Sequence, residues 1–486
     1  MPTIDATKSE DHLEREMPKS LLSMATIGGR THDTDERFEV INPATGAAFS
    51  TAPLCGAPEL TAAVTFCKRA QPQWAQSERN RRGALLACSH AIARKQEDLA
   101  KLITLEQGKP IAEARSEVAY AAEVFAAYSE MEVPSKDLSN GETSRTLLFN
   151  RPYGIVGLIT PWNFPIGTAA VKLAPALLAG NAVILKPSPI APLSPLLLGR
   201  ILKDLLPAGI LNTLSGDKSL GEQITRHPDI RKLSVTGSIP TGQAILSEAA
   251  VELKSVTLEL GGNDPAILLP DCDPHEIAGQ LLDSAWRNAG QVCSAIKRIY
   301  VHQSRHSELI AALSKLTPNY KVGSGMESGV RIGPLTTEYS RERLTELLQS
   351  AIAEGAKVTK DSRPLPSHGY FFSPAIVSEI RADHPLVLEE QFGPILPVVP
   401  YRNIDEAIEW SNATNYGLSA SVWTKCPSVG YEIASKLECG RVGVNGHRRA
   451  KAAAPFGGFK HSGLGRELGS WGLAEMCESQ VVNIFE

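Results

Sequence analysis

Close cysteine pairs are missing from this chain. Its eight cysteines (Cys55, Cys67, Cys88, Cys272, Cys293, Cys426, Cys439 and Cys477) are scattered through 486 residues with no C-x-x-C spacing among them. That density is far below a disulfide scaffold, which makes a reducing compartment, the cytoplasm, the simpler expectation. Histidines at metal-ligand spacing are almost as scarce. His302 and His306 stand four apart, but the text between them reads as a strand end running into a helix. The two rings need not share a face, and no metal is expected. No apolar run is long enough for a bilayer either. The longest, 173–185, is broken by Pro175, Gly180 and Asn181 and falls short of the ~20 residues a spanning helix needs. The first 25 residues carry Asp5, Glu10, Asp11, Glu14 and Glu16 and no apolar core, unlike a secretory signal or an acid-poor presequence. Residues 1–25 therefore read as a flexible tail. Charge of one sign is not in excess: 49 basic and 53 acidic residues leave a formal net charge of −4. Neither nucleic acid nor an anionic membrane is expected as partner.

What is present is an ordinary globular composition, 43% hydrophobic and 21% charged, in a chain long enough for several domains. Phe38-Glu39-Val40-Ile41 reads as a strand stopped by Asn42-Pro43, which is turn chemistry. From Ala57 to about Met131 the text is helical, with Leu85, Leu86, Ile92, Leu99, Leu102 and Ile103 at helical spacing. Pro58 stands near a helix start, and Gly108 and Pro110 mark a break. From Gly154 onward short apolar runs (Ile155-Val156-Gly157-Leu158-Ile159, Ala182-Val183-Ile184-Leu185, Lys232-Leu233-Ser234-Val235) alternate with helical stretches, the signature of a parallel sheet. A second α/β region follows from about Gly261. Thr146-Leu147-Leu148-Phe149-Asn150 and Gln480-Val481-Val482-Asn483-Ile484-Phe485 are two β-like segments far apart in the chain, and each needs a partner.

The chemistry gathers in 257–295. Leu258-Glu259-Leu260-Gly261-Gly262 sets a carboxylate beside two glycines, and Gly290-Gln291-Val292-Cys293-Ser294 sets a thiol after a Gly-Gln pair. A thiol suits attack on a carbonyl, and a carboxylate suits activation of the water that releases the product. A lone cysteine is more often an inert buried side chain; here the neighbouring motifs argue otherwise. Pro161-Trp162-Asn163-Phe164-Pro165, Leu185-Lys186-Pro187-Ser188, Val235-Thr236-Gly237-Ser238, Glu389-Glu390-Gln391-Phe392-Gly393-Pro394 and Pro455-Phe456-Gly457-Gly458-Phe459-Lys460 join the Glu259 and Cys293 segments. In this order and spacing, from about Ile27 onward, the set resembles the aldehyde dehydrogenase superfamily.

The resemblance implies an α/β fold with two Rossmann-type domains and a small β oligomerisation domain. The dinucleotide-binding domain would take 26–131 and 152–259, the catalytic domain 260–455, and the oligomerisation segments 132–151 and 466–486. A homodimer or homotetramer is implied. Cys293 would be the nucleophile, Glu259 the general base that hydrolyses the thioester, and Asn163 with the Cys293 N–H the oxyanion donors. A free thiol ionises near pH ~8.5, so basic or dipolar neighbours are expected to lower the Cys293 value. Trp162, Lys186, Ser188, Gly237, Ser238, Gly242, Glu390 and Phe392 would hold NAD or NADP. Taken alone, 235–242 would be an ordinary strand-to-helix turn, although its amides could bind a pyrophosphate. Three residues past Lys186, where NAD-preferring relatives place a ribose-binding Glu, stands Pro189, so use of both dinucleotides is expected.

Glu259 also separates this chain from relatives that pass the acyl group to coenzyme A and lack that Glu, so a free carboxylic acid is the expected product. For the substrate, the candidate contacts are Phe164, Val171, Arg287, Val292, Ser294, Ala450 and Phe456. Small residues Ala452, Ala453 and Ala454 are expected beside them, next to a basic loop at 445–451. Arg287 matches one arginine of succinate-semialdehyde enzymes, but Val171 and Ala450 replace the second arginine and a serine. A medium-chain or aromatic aldehyde is therefore expected, with an anionic semialdehyde as the alternative. A non-catalytic binding protein on the same fold is the alternative of another class.

Overall fold

A computed structural model describes residues 24–139, 144–447 and 451–485. The first sheet has eight strands, in the order Gly463–Leu464, Ser255–Glu259, Ile230–Thr236, Ile155–Ile159, Ala182–Lys186, Leu211–Thr213, Ala25–Ile27 and Arg30–His32. The five from Ser255–Glu259 to Leu211–Thr213 are parallel. Ala182–Lys186 is buried along its whole length and Ile155–Ile159 nearly so. Such apolar runs without alternation are what a sheet covered on both faces requires. The helical text resolves into Ala57–Trp74, Glu78–Arg94, Gln96–Gln107 and Ile111–Ser129. Pro58 lies in the first turn of the first helix, and Gly108, at φ 97°, caps the third in the left-handed conformation a glycine favours.

The second sheet has seven strands, ordered Lys357–Lys360, Ala375–Ser378, Ile395–Tyr401, Ile296–His302, Asp264–Leu268, Ser419–Trp423 and Arg441–Val444. All its pairs are parallel except the first. Each large sheet has its own apolar core. The two distant β-like segments do pair: Ser144–Pro152 runs antiparallel to Cys477–Phe485, and Ser135–Asp137 adds a third strand. Val481 (53% exposed) and Phe485 (82%) stand open on the Cys477–Phe485 strand. No helix among the described residues is long and apolar enough to cross a membrane.

In the first sheet the chain lays Ile155–Ile159, moves to Ala182–Lys186 on one side, then crosses to Ile230–Thr236 on the other. The strand order reverses between these neighbours, and a crevice opens beyond the carboxyl ends of the strands on either side of such a point.

Candidate active site

The crevice collects the residues that follow the parallel strands. Trp162 and Asn163 follow Ile155–Ile159, Gly237 and Ser238 follow Ile230–Thr236, Lys186 ends Ala182–Lys186, and Glu259 ends Ser255–Glu259. Lys186 is 4% exposed, and burial pushes its pKa down to about 8, with Asp217 opposing. Among the described residues its Nζ reaches only the adjacent Pro187 carbonyl, at 3.3 Å. Ser188 is half-buried and Pro189 exposed. Ser238 caps the helix Ile239–Ala249, accepting from the Thr241 N–H at 3.3 Å. The polarised amides of that helix start suit a pyrophosphate.

Gly242 stands one turn into that helix. It is buried, its N–H is taken by the Ser238 carbonyl at 2.9 Å, and a Cβ there would meet Leu260 at 2.6 Å. Close packing against Leu260 by itself calls for a residue without a Cβ here.

Glu390 turns an oxygen to the Gly262 N–H at 3.0 Å, and burial raises its pKa to about 7. Phe392 meets Trp162 edge to face at 5.5 Å, holding φ at +51°. That left-handed backbone is uncommon for a non-glycine residue, and such strain clusters at functional sites.

Two glycines explain how the thiol and carboxylate segments come together. A Cβ at Gly262 would strike the Cys293 carbonyl at 2.4 Å, and one at Gly457 would strike Glu259 Oε1 at 2.8 Å. Cys293 is half-buried and Glu259 is 4% exposed, and both line one cavity of about 370 Å³. Neither Glu259 oxygen has a hydrogen-bond partner among the described residues. Burial raises its pKa well above the ordinary carboxyl value; Glu467 adds to the rise, while Lys172 and Arg466 oppose it. Asn163 is buried, and its Nδ2 donates to the Gln291 carbonyl at 2.9 Å. An amide nitrogen carries two protons, so one remains for an oxyanion. Its backbone carbonyl is fixed from below by Lys109 Nζ at 2.7 Å and Asn288 Nδ2 at 3.0 Å.

The expected lowering of the Cys293 value is reversed. Burial, then Glu390, Asp264 and Glu259, push it up to about 12, and only Lys297 opposes. Without a bound cation the thiol is therefore neutral near pH 7. The exposed Cys426 is the opposite case, its value lowered by a hydrogen bond from Ser428. In cofactor-free protein at pH 7, iodoacetamide is expected to modify Cys426 before Cys293, as peptide mapping by mass spectrometry would reveal. Cys293 labelling should climb about tenfold per pH unit through pH 9.

Of the expected substrate contacts, Phe164, Val171, Arg287, Val292, Ser294 and Phe456 lie on the cavity wall. Ala450 lies outside the described residues, as do Arg448 and Arg449 of the basic loop. Ala452, Ala453 and Ala454 are not on the wall: Ala452 is packed into the first core, and the other two are exposed.

Sequence reasoning missed the wall's charges. Glu117 pairs with Lys109 at 2.6 Å, Glu467 with Lys172, and Asp283 with Arg331 at 2.5 Å. One signal was available: Lys172 interrupts an otherwise apolar helix, Pro165–Leu178, that is buried almost throughout. A cation in such a place needs a partner. Arg287 is different. It lies over the Phe164 ring, 5.1 Å from its centre, and makes no hydrogen bond or ion pair among the described residues. The carboxyl that feels its charge, Glu113, is half-buried and has its pKa raised by desolvation. With the wall carboxylates matched by cations and Glu259 held toward its neutral form, the remaining charge on this wall is positive.

The family model described as "Aldehyde dehydrogenase family" matches residues 30–482. The chain is 35% identical over 462 residues to succinate-semialdehyde dehydrogenase [NADP(+)] of Escherichia coli strain K12, covering 93% of this chain and 96% of that one. It is 35% identical over 484 residues to 3-sulfolactaldehyde dehydrogenase of Pseudomonas putida, covering 97% and 98%. Among solved structures, an aldehyde dehydrogenase from Brucella melitensis biovar abortus superposes with a TM-score of 0.93 at 34% identity, covering 97% and 99%.

Proposed function

The chain belongs to the aldehyde dehydrogenase family, and from that premise we propose that it oxidises a short aldehyde with an anionic far end to the free acid. The observation that carries this reading is Arg287, a cation without an ion-pair partner among the described residues on the wall that also holds Cys293 and Glu259. Two relatives are named for anionic aldehydes, succinate semialdehyde and 3-sulfolactaldehyde. These favour an anionic semialdehyde over the medium-chain or aromatic aldehyde expected from the sequence.

NAD or NADP fits the crevice. Lys186 has no carboxylate within hydrogen-bonding reach among the described residues, Ser238 opens a helix, and Trp162, Glu390 and Phe392 gather at one end. When bound, the nicotinamide would accept a hydride from the substrate carbon. Lys186 and Ser188 would hold the ribose, Gly237 and Ser238 the pyrophosphate, and Glu390 with Phe392 the nicotinamide end. Pro189 puts no negative charge beside a 2′-phosphate, which supports use of NADP.

In this reading the Cys293 thiol gives its proton to water, and the thiolate Sγ forms a bond to the aldehyde carbon as the C=O π bond opens. The oxygen of that carbon gains negative charge and is met by the free Asn163 amide proton and the Cys293 N–H, which has no acceptor among the described residues. After oxidation the acyl group is a thioester on Sγ. Glu259, once ionised, takes a proton from water as that water attacks, and the acid leaves with the thiol restored. Because its pKa is raised, the active carboxylate appears only as pH rises, and the hydrolytic rate is expected to rise with it.

The assignment of 26–131 with 152–259 to cofactor binding and 260–455 to catalysis belongs to the same proposal, as do a homo-oligomer and a cytoplasmic location. The test is Arg287→Gln, assayed with succinate semialdehyde and with butanal. KM for the anion is expected to rise roughly ten- to hundredfold, the range for a lost charged hydrogen bond. An unchanged ratio of the two KM values would remove the anionic reading.

A further inference from the structure

Phe164 is expected from the sequence as a direct substrate contact, and it does lie on the cavity wall. Its ring is also where two cations meet. Lys109 Nζ stands 3.8 Å from the ring centre and the Arg287 guanidinium carbon 5.1 Å from it. Both lie within the ~6 Å over which a ring face attracts a cation. The two are not equivalent. Lys109 pairs with Glu117 at 2.6 Å, and those side chains are 0% and 1% exposed. Arg287 has no hydrogen bond or ion pair among the described residues. What it meets is the ring.

A ring holds a guanidinium differently from a carboxylate. A carboxylate occupies N–H donors and cancels the charge, whereas an aromatic face does neither. The five N–H donors of Arg287 therefore stay available to a planar anion. The ring itself has little freedom. Phe164 precedes the helix Pro165–Leu178, and its carbonyl accepts from the Thr168 N–H at 2.9 Å. Glu117 Oε1 accepts from the Ile166 and Gly167 N–H groups at 2.9 and 3.0 Å, while Lys109 Nζ donates to the Asn163 carbonyl at 2.7 Å. The chain beside the arginine is fixed as well, since the Asn288 N–H donates to Glu113 Oε2 at 2.9 Å. Helix start and arginine backbone are both anchored, and the ring links them.

We infer that Phe164 is a positioning residue for substrate choice: its ring face, backed by the Lys109–Glu117 pair, holds the Arg287 guanidinium at the wall with its donors free for the substrate's anionic end. The inference rests on the anionic reading of the same cavity and adds the residue through which Arg287 is placed. A side chain without a ring releases the guanidinium to swing. Affinity for an anion then falls, while an uncharged aldehyde loses only apolar contact.

The test measures KM for succinate semialdehyde and for butanal with saturating cofactor, in the wild type, Phe164→Leu, Phe164→Tyr, Arg287→Gln and the variant carrying both Phe164→Leu and Arg287→Gln. The ratio of KM for the anion over KM for butanal is expected to rise roughly three- to thirtyfold in Phe164→Leu, the scale of a cation–π contact. Phe164→Tyr keeps the ring face and should stay near the wild-type ratio. In the double variant the ratio should match that of Arg287→Gln alone, because the ring acts through the arginine. Phe164→Met is the second variant without a ring, should Phe164→Leu fail to fold. A ratio unchanged by loss of the ring overturns the inference, and so does Phe164→Tyr behaving like Phe164→Leu. A rise of equal size with and without Arg287 overturns it too, since the ring would then touch the substrate directly. If Arg287→Gln leaves the wild-type ratio unchanged, the anionic reading itself is overturned, and the inference with it.

Discussion

Cys293→Ala is expected to lower kcat/KM by roughly 10⁴-fold or more, the scale on which loss of a covalent nucleophile is felt. Binding of NADP, followed by fluorescence or calorimetry, should survive. The separation follows from geometry: Lys186, Ser238 and Glu390 belong to strand ends and loops that do not depend on the thiol for their place. Alanine removes one sulfur from a half-buried position lined by open cavity, so the fold should tolerate it. Retained aldehyde oxidation in this variant would transfer the nucleophile to another group. The raised Cys293 value sharpens the point. With the thiol held near 12 by burial and three carboxyl groups, a positive charge brought close is the simplest way to ionise it. Saturating cofactor is therefore expected to speed alkylation of Cys293 at pH 7, while Cys426, exposed and away from the cavity, keeps its rate.

Glu259→Gln should divide the reaction at its middle. Rapid mixing with aldehyde and cofactor is expected to give one equivalent of reduced cofactor per site, then turnover slowed by roughly 10²–10⁴-fold, the range for loss of a general base. Glutamine keeps the shape, and neither carboxyl oxygen makes a hydrogen bond among the described residues that the change would break. The pH profile supplies an independent check. In the wild type the raised carboxyl pKa makes turnover climb with pH, and in the variant that limb should vanish. A variant whose burst is slowed as much as its steady state would place Glu259 at the thiol's ionisation instead of at water.

Much of this site was legible because a parallel sheet writes its crevice into the sequence. Each apolar run ends where a strand ends, and the next few residues face the ligand. Trp162, Asn163, Lys186, Gly237, Ser238 and Glu259 all stand in such places. Gly242 is less legible: a glycine early in a helix looks the same whether it admits a phosphate or makes room for a side chain such as Leu260. The alanines at 452–454 were misplaced because loop position does not reveal which side of the backbone meets a cavity.

The pairings that set the cavity's charge were not legible. Lys172 and Glu467 are 295 residues apart, and Asp283 and Arg331 are 48 apart, so no local pattern links them. The sequence by itself determined the family, the order of the strands' functional ends, and the thiol, carboxylate and amide most suited to the chemistry. Only the tertiary structure decided which carboxylates are neutralised, why the thiol is hard to ionise, and that Arg287 has no ion-pair partner among the described residues. Residue types and short-range periodicity are properties of the chain, whereas burial and Coulomb interaction depend on distances that exist only after folding.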